Sequence, residues 1–311
     1  MTLNESEQWA VELSLKQLSL EEHLANVRFW GKIFGERVDY LIAVAERPEK
    51  LVMNTESRAG ECFPSQFWFS TDGGANFSRV PDVDRREQVI DALNARSQRL
   101  ARFTGDPIKL LAEVTIPLPE RKASAHGASE QSEKDDDDVQ KGGESSDEVE
   151  NEKFETMRVT ELHRLAHVVA QITSECLTVH RGAHVLSADG LVKSAKDFHI
   201  SSFYRLQELT TYQHMRVPHA PKLHRVCNST ANNSDDFFED LSDDFPPDLA
   251  WSLRSDAYKK VVALRSNVWP GYEVRFDQTT TSPFGSQTYF GIGAPDTSLW
   301  TDCSTKHLNR L

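Results

Sequence analysis

The feature that most constrains the fold of this chain is a long acidic tract with very few apolar side chains. Residues 120 to 155 are dominated by Ser, Gly, Asp and Glu, and no aromatic residue occurs there before Phe154. Such a segment cannot bury enough apolar surface to offset the entropy lost when it is ordered. We therefore predict a disordered acidic insertion over 120–155, between an N-terminal part (1–119) and a C-terminal part (156–311) of the same fold.

The acidity of the chain is concentrated in this tract. Residues 130 to 152 carry eleven acidic side chains and two lysines, whereas the whole chain has a net charge of −13. The remaining 37 acidic and 33 basic residues almost balance. No basic groove for phosphates is therefore indicated, and nucleic-acid binding is not expected. The tract suits a docking segment, a phosphorylation site at Ser132 or Ser145, or a simple solvated insertion, which we favour.

The sequence also carries no sign of export or of membrane insertion. No apolar run approaches the roughly 20 residues that cross a bilayer, and the first residues lack the basic and apolar regions of a secretory signal. The four cysteines lie far apart and include no CxxC pair, so they are expected to be ordinary thiols. We expect a cytosolic protein without membrane contact.

Helical spacing and start signals predict the helices. Apolar residues recur at helical spacing over 9–17, and the capping-box pattern of 19–22 indicates a second helix start. A further capping box at 84–87 predicts a helix through Leu93. The longest apolar stripe begins near Thr160 and defines the clearest helix of the chain, with Val159, Leu162, Leu165, Ala166, Val169 and Ile172 on one face.

Short apolar runs between turn signals predict the strands. In the N-terminal part, the runs 29–34 and 40–44 predict a β-hairpin or two adjacent strands. Residues 66–70 predict a further strand before the turn at 72–74. In the C-terminal part the predicted elements are a strand through 177–179, a turn at 181–183, a short helix over 203–209 and strands at 261–264, 272–276 and 289–290. Trp269-Pro270-Gly271 is predicted to form a rigid corner between two of these strands. The predicted class is α+β, with antiparallel strands and packed helices.

Histidines are the first candidates for chemistry. His163 and His167 are four residues apart on the predicted helix, and His180 and His184 have the same spacing, so the two pairs together could in principle bind zinc. Arg164 stands where a zinc protease would need its catalytic glutamate. We therefore favour a role for His163 and His167 as flanking or satisfied residues of the helix, and we expect no metal.

Other site signatures are weaker still. Gly291 and Gly293 lack the third glycine and the following helix of a nucleotide-binding loop, and Gly73-Gly74 lacks the Lys-Ser/Thr that would follow in a phosphate loop, so turns are expected at both places. The densest acidic cluster (Asp235, Asp236, Glu239, Asp240) lies in a polar stretch where a solvated loop is expected. No Ser nucleophile elbow is present. We predict no catalytic residue and no cofactor-binding residue.

Most tryptophans are expected in the core, where burial of a large side chain contributes about 1.5–3 kcal/mol each. Some are alternatively expected at subunit contacts, where Trp and Tyr are enriched. The residues in question are Trp30, Trp68, Trp251, Trp269 and Trp300.

Several strings, taken in order, resemble one known family. They are RFWGKIFGERVDYLIAVA, FWFSTDGGANFSRVPDVD and ARFTGDP before the acidic tract, and VTELHRLAHVVAQI, VHRGA, SFYRLQELTTYQHMR, VALRSNVWPGY and YFGIG after it. This series is similar to the radial spoke head protein 9 family, which is related to radial spoke head proteins 4 and 6. The likeness covers nearly everything except the tract and the last dozen residues. The acidic tract is long for the family, and Asp296 to Trp300 depart from its terminal pattern.

The resemblance implies a non-catalytic structural subunit of the axonemal radial spoke head that supports ciliary and flagellar motility. It implies other head subunits as partners, of the head protein 4 and 6 type, together with self-association and transient contact with the central pair. It implies no enzyme activity and no cofactor. Two alternatives stay open: a cytosolic enzyme with no recognisable motif, which predicts a deep polar pocket, and an acidic adaptor, whose binding would weaken steeply with salt.

Overall fold

The computed structural model describes residues 3–46, 65–84, 86–95, 101–117, 154–186, 192–195, 198–199, 202–215, 238–244, 246, 249–278, 285–296 and 298. The predicted acidic insertion therefore lies outside the described residues, apart from Phe154 and Glu155, which begin a strand. Trp300 and the acidic residues Asp235 and Asp236 lie outside them as well. The division into three parts remains a prediction.

The described residues form an eight-stranded sheet to which both flanks of the tract contribute. Its spatial order is β12-β13-β14-β15-β1-β2-β3-β4. The strands from the N-terminal side are β1 (Ala25–Ile33), β2 (Tyr40–Glu46), β3 (Ser65–Ser70) and β4 (Ser78–Arg79). Those from the C-terminal side are β12 (Trp251–Asp256), β13 (Val261–Ser266), β14 (Tyr272–Asp277) and β15 (Ser286–Gly291).

The two halves of this sheet meet at a parallel pair. Strands β1 and β15 run in the same direction, with Gly31 opposite Tyr289, whereas the other neighbours in the sheet are antiparallel. Parallel neighbours cannot be joined by a tight hairpin. The contact between the two halves therefore joins two strands that lie far apart in the sequence.

Shorter ladders and four helices complete the described fold. The ladders join β5 (Leu110–Pro117) to β6 (Phe154–Thr160), β7 (Thr178–His180) to β10 (Tyr212–Met215) to β11 (Phe238–Asp240), and β8 (His184–Leu186) to β9 (Val192–Ser194). The helices are α1 (Glu5–Glu21), α2 (Glu87–Asn94), α3 (Glu161–Cys176) and α4 (Phe203–Leu206), with 3-10 turns at Leu209–Thr211 and Leu241–Asp243. None of the described helices is both long enough and apolar enough to cross a membrane.

Helices α1 and α3 cover opposite faces of the large sheet. Side chains alternate between the two faces along a strand, and on β2 Ile42 and Val44 belong to the main core with α3, whereas Ala43 and Ala45 pack with Leu18 of α1. The face under α3 also holds the buried side chains of β12 to β15. The other face, which we call the outer face, carries α1 over β1 to β3.

The predicted α+β class is confirmed, but two predicted helix starts are wrong. Helix α1 continues through Ser19 and ends at Glu22, and the Ser19 hydroxyl donates to the Leu24 carbonyl instead of capping a new helix. Helix α2 begins after Arg86, and Asp84 accepts hydrogen bonds from the Arg86 side chain rather than from the first turn of the helix. In both cases the side chain that the pattern assigns to a helix cap forms its hydrogen bond with another partner.

The predicted corner at Trp269 to Gly271 is confirmed between β13 and β14. Trp269 is 1% exposed, and its indole N–H donates to Glu175 Oε2 of α3 at 2.6 Å. Gly271 has φ 102° and lies so close to the Phe290 carbonyl that a Cβ there would overlap it, so only glycine suits this position. The corner thus fastens the turn between β13 and β14 to helix α3.

Some strands were not predicted. Strands β5, β6 and β12 pair over most of their length in the structure. In β12, Trp251 and Leu253 alternate with Ser252 and Arg254, which is the period-two pattern of a half-buried strand and is the signal that would have identified it.

Candidate interaction surface

Helix α1 presents an unusual outer surface. Trp9, Leu13 and Leu20 are 73%, 70% and 76% exposed, and they are among the most exposed large apolar side chains of the described residues. At 3.6 residues per turn they fall within about 40° of one another around the helix. We call these three residues the α1 stripe.

The stripe points outward because the opposite side of α1 is committed to the sheet. Val11 and Leu18 are buried, and Leu15 packs against the cluster formed by Leu18, Ala43 and Trp68. Apolar residues thus occupy two opposite sides of the same helix. Only one of these sides can face the sheet, and the other is left in solvent.

Polar contacts fix the rotation of α1. Asn4 and Glu7 form a capping box, in which the Glu7 N–H donates to Asn4 Oδ1 at 2.7 Å. Glu7 also pairs with Lys32 of β1 at 2.7 Å, and Ser14 donates to the Ala75 carbonyl at 2.7 Å. The contacts to Lys32 and Ala75 both lie on the side of α1 that faces the sheet, so rotating the helix to bury the stripe would break them.

The charges around the stripe are mostly negative. Glu5 and Glu12 are exposed on one side of the stripe, and Glu21 and Glu22 are exposed at its C-terminal end. Lys16, the single lysine of α1, lies in line with the stripe and pairs with Glu12 at 2.8 Å. This bond and the charge of Lys16 hold the pKa of Glu12 below its ordinary value.

The loop beside α1 adds another carboxylate. Gly74 of this loop lies against Val11 with φ 93°, which confirms the turn predicted at 72–74. Partial burial opposes the charge of Asp72, but hydrogen bonds from Ser70, Asn76 and Ala75 prevail and lower its pKa to about 2. Asp72 is therefore ionised at neutral pH.

A buried carboxylate organises the region between the sheet and α3. Glu161, the first residue of α3, is 1% exposed. It accepts hydrogen bonds from the Tyr40 hydroxyl at 2.9 Å, from the Thr104 N–H and hydroxyl at 3.0 and 2.8 Å, and from the Gly105 N–H at 2.9 Å. Burial opposes its charge, yet these bonds outweigh burial and lower its pKa.

Arg164 lies one turn further along α3 and completes this cluster. It donates to the Ala101 carbonyl, and its guanidinium lies 4.1 Å from the centre of the Phe103 ring. Burial lowers the pKa of Arg164, and the charge of Glu161 opposes that effect. The segment 101–106 is thus fastened to α3 through one acid and one base, so this buried pair belongs to the fold rather than to a solvent-accessible site.

The four histidines considered for zinc have separate roles. His163 caps α3, because its Nδ1 accepts from the Thr160 N–H at 3.1 Å. His180 of β7 lies among Phe198, Tyr212 and Phe276. Burial lowers the pKa of His167, His180 and His184. Within the part of the chain that the structure describes, no three His, Cys, Asp or Glu side chains are grouped so that they could hold a metal ion.

The glycine and acidic motifs also have structural roles. The Gly293 N–H donates to the Tyr289 hydroxyl at 2.9 Å, and Gly293 itself lies against Phe103 in a turn with φ 70°. Asp240 pairs with Arg181, and Glu239 lies in the same strand, β11. The polar stretch that was expected to be a solvated loop is therefore in part a strand.

The tryptophans divide between core and surface. Trp30, Trp68, Trp251 and Trp269 are buried, as expected for core residues. Among the described tryptophans Trp9 is the exposed one, and it is not one of the five expected in the core or at subunit contacts. The signal was present, because Trp9 and Leu13 are four residues apart, but the sequence could not tell which side of α1 faces the sheet.

A second buried charge network was also missed. His214 Nε2 and the Trp251 indole N–H both contact Asp244 Oδ2, at 2.5 and 2.7 Å. The three residues come from β10, β12 and the turn between β11 and β12. No short-range spacing connects them, so only the tertiary fold brings them together.

The outer face also has an open cleft over β12 to β14. Its lining includes Arg254, Arg265, Glu273 and Arg275. Glu273 accepts from both Arg265 and Arg275 at 2.5 Å. Burial opposes its charge, but the two arginines prevail and lower its pKa. Glu273 is therefore engaged by two arginines on an open surface, which differs from the convergent polar groups of a deep enzyme pocket.

Comparison with known proteins gives the class. Residues 1–72, which include α1 and the first three strands of the sheet, match the model of the radial spokehead-like protein family. The relatives found are radial spoke head protein 9 homologs. The homolog of Danio rerio is 28% identical over 300 residues, covering 96% of this chain and 92% of that protein. The homolog of Xenopus tropicalis is 26% identical and that of Homo sapiens 24%, covering 93% and 92% of this chain and 89% and 88% of those proteins. The predicted resemblance to this family is therefore confirmed over most of the chain.

Proposed function

We propose that this chain is a non-catalytic structural subunit of the axonemal radial spoke head. The observation that carries the proposal is the similarity to radial spoke head protein 9 homologs, which extends over more than nine tenths of the chain. Radial spoke head proteins are components of the axoneme of cilia and flagella, so the proposed location is the axonemal cytoskeleton. The proposed partners are the other head subunits, of the head protein 4 and 6 type, and transiently the central pair.

The surface of the chain supports a role in assembly. A subunit that works by contact needs exposed apolar groups on a rigid frame, because such groups gain most from burial against a partner. The α1 stripe meets this requirement on a helix whose rotation is fixed by polar contacts.

The charged groups support a non-enzymatic role. Glu161, Arg164 and Glu273 have lowered pKa values, and each is engaged by named partners within the protein. An acid–base catalyst would instead present such a group towards a bound substrate. In this chain Glu161 and Arg164 stabilise the junction between α3 and the sheet, and Glu273 is engaged by two arginines on an open surface.

The test is loss of the protein from a ciliated cell. We expect axonemes that assemble but beat abnormally, because the remaining head subunits lose one of their contact surfaces. Electron tomography of these axonemes is expected to show spokes that keep their stalks and lose part of the head. Intact heads with normal beating would contradict the proposal, and so would a tagged protein found mainly in the cell body.

A partial loss of heads is expected where a close relative replaces this protein in some spokes. If some spokes keep complete heads, the second measurement is the double loss of this chain and that relative. Removal of the remaining head density would support the proposal, whereas its persistence would contradict it.

A further inference from the structure

The α1 stripe serves no purpose in the packing of the described residues. Trp9, Leu13 and Leu20 span eleven positions, or about 16 Å along the helix axis. That is about three turns of a partner helix laid alongside. The opposite side of α1 already supplies Val11 and Leu18 to the sheet, and among the residues that the structure describes none covers the stripe.

The spacing of the stripe indicates the shape of the occupant. Side chains four and seven residues apart form a narrow apolar row along one side of a helix, which is the pattern that packs against the apolar row of a second helix. The flanking positions are polar, with Glu12 and Gln17 on either side of the row. The surface therefore suits a slender amphipathic helix better than a broad sheet.

The charge around the stripe indicates the chemistry of the occupant. Glu5 and Glu12 lie on one side of the stripe, and Glu21 and Glu22 lie at its C-terminal end. The one lysine of α1, Lys16, lies in line with the stripe and is paired with Glu12. A second copy of α1 would bring acidic groups against acidic groups, and an anionic membrane surface would be repelled in the same way. A helix with basic flanks would meet complementary charge.

We propose that the α1 stripe binds an amphipathic helix of a partner protein whose apolar row is flanked by Lys or Arg. The inference rests on the proposed function, because an assembly subunit needs partners, and it specifies which surface is used and what chemistry the partner brings. The apolar row supplies the affinity of this contact. The exposed glutamates beside the stripe and at its end, which we call the acidic rim, favour a basic partner and raise the rate of encounter.

The experiment uses the full chain and two synthetic helical peptides of about 18 residues, long enough to cover the stripe at 1.5 Å per residue. Both peptides carry the same apolar row, flanked by lysines in one and by glutamates in the other. Binding is measured by fluorescence anisotropy of the labelled peptide. We expect the lysine peptide to bind at least tenfold more tightly than the glutamate peptide, with an affinity that falls as salt is added.

Variants of the chain locate the contact. Leu13→Glu is expected to weaken binding of the lysine peptide at least tenfold, and so is the double variant Trp9→Ala/Leu20→Ala. The matched control is Ile108→Glu, because Ile108 is equally apolar and 83% exposed but lies away from α1. Thermal melting should be unchanged in all three variants, since each substituted side chain lies in solvent. The charge-reversed variant Glu21→Lys/Glu22→Lys is expected to reduce the preference for the lysine peptide.

Several results would overturn the inference. Equal binding of the two peptides would remove the role of the acidic rim, and an unchanged affinity in Leu13→Glu would place the contact elsewhere. A dimer in analytical ultracentrifugation that Leu13→Glu dissolves would assign the stripe to a second copy of the chain. A gain of peptide affinity on removal of residues 299–311 would assign it to the chain's own C-terminal segment.

The failure of this inference can be told apart from the failure of the proposed function. If tagged Leu13→Glu protein is incorporated into spoke heads as well as wild type, the stripe is dispensable there while the assignment to the spoke head stands. If the peptides discriminate as expected but wild-type protein is absent from axonemes, the surface is real and the proposed location is wrong.

Discussion

Replacing Glu161 by glutamine tests whether the buried carboxylate holds the segment 101–106 against α3. The side chain keeps its shape, so the change removes charge without opening a cavity. One carboxylate oxygen becomes an NH₂ group, which then faces donors from Thr104 alone at Oε2, or from Thr104, Gly105 and Tyr40 at Oε1. Hydrogen bonds to a buried charge contribute about 1.5–3 kcal/mol each, and a buried donor left without an acceptor costs about 1–3 kcal/mol. Arg164 also loses its neighbouring opposite charge.

These losses are not additive, because the loop can relax and the Thr104 hydroxyl can rotate. We expect Glu161→Gln to lower the free energy of unfolding by about 3–5 kcal/mol at pH 7, a range typical of a broken buried charge network. The assay is urea unfolding of the full chain, followed by circular dichroism. The matched control is Glu113→Gln, because Glu113 is exposed and its ion pair with Arg158, at 3.8 Å, lies on the surface. Its cost is expected to stay below about 1 kcal/mol.

The pH dependence gives this experiment a second, independent readout. The pKa of Glu161 is lowered from 4.5 in the folded state, so the ionised carboxylate stabilises the fold above the unfolded pKa. This stabilisation is lost as the pH falls through the lower, folded-state pKa. The difference between wild type and Glu161→Gln should therefore be constant from pH 7 to about pH 5.5 and shrink below about pH 4.5. A difference under about 0.5 kcal/mol at pH 7, or one that does not change with pH, would refute the reasoning.

Two further predictions concern the corner and the acidic tract. Trp269→Ala should lower the free energy of unfolding by about 3–5 kcal/mol, because it removes a fully buried ring and leaves Glu175 without its indole donor; an unchanged urea midpoint would contradict the core role. Deletion of residues 130–152 should leave the thermal midpoint of the chain nearly unchanged in calorimetry, because β5 and β6 pair directly at Pro117 and Phe154 and the shortened connection can still join them. A drop of several degrees would mean that the tract is part of the fold.

The local sequence pattern predicted the structure correctly where the conformation of a segment depends on a few neighbouring residues. The hairpin of β1 and β2, the stripe of α3 and the corner at Trp269 were all predicted, because period and turn chemistry act over a few residues. The same reasoning expected His163 to be a flanking or satisfied residue of its helix, and in the structure it accepts a hydrogen bond from the Thr160 N–H. The family resemblance likewise came from ordered strings of residues.

Local pattern failed where two partners compete. Ser19 and Asp84 both have the spacing of helix caps, yet each bonds elsewhere in the structure. A capping side chain contributes about 1 kcal/mol, which a nearby carbonyl or arginine can match. The choice between such partners depends on geometry that the sequence does not contain.

The sequence by itself therefore determined the α+β class, seven of the fifteen described strands, helix α3 and the family resemblance. Only the tertiary structure decided the parallel contact of β1 with β15, the burial of Glu161 and the outward direction of the α1 stripe. In each case the outcome depends on contacts between segments that are far apart in the sequence, and helix α1 shows why. Helix α1 has apolar residues on two sides, and Trp9 is as apolar as Val11 and Leu18, so composition cannot say which side is buried. That choice is made by the sheet, whose face admits Leu18 beside Ala43 and Trp68 and leaves Trp9, Leu13 and Leu20 in solvent.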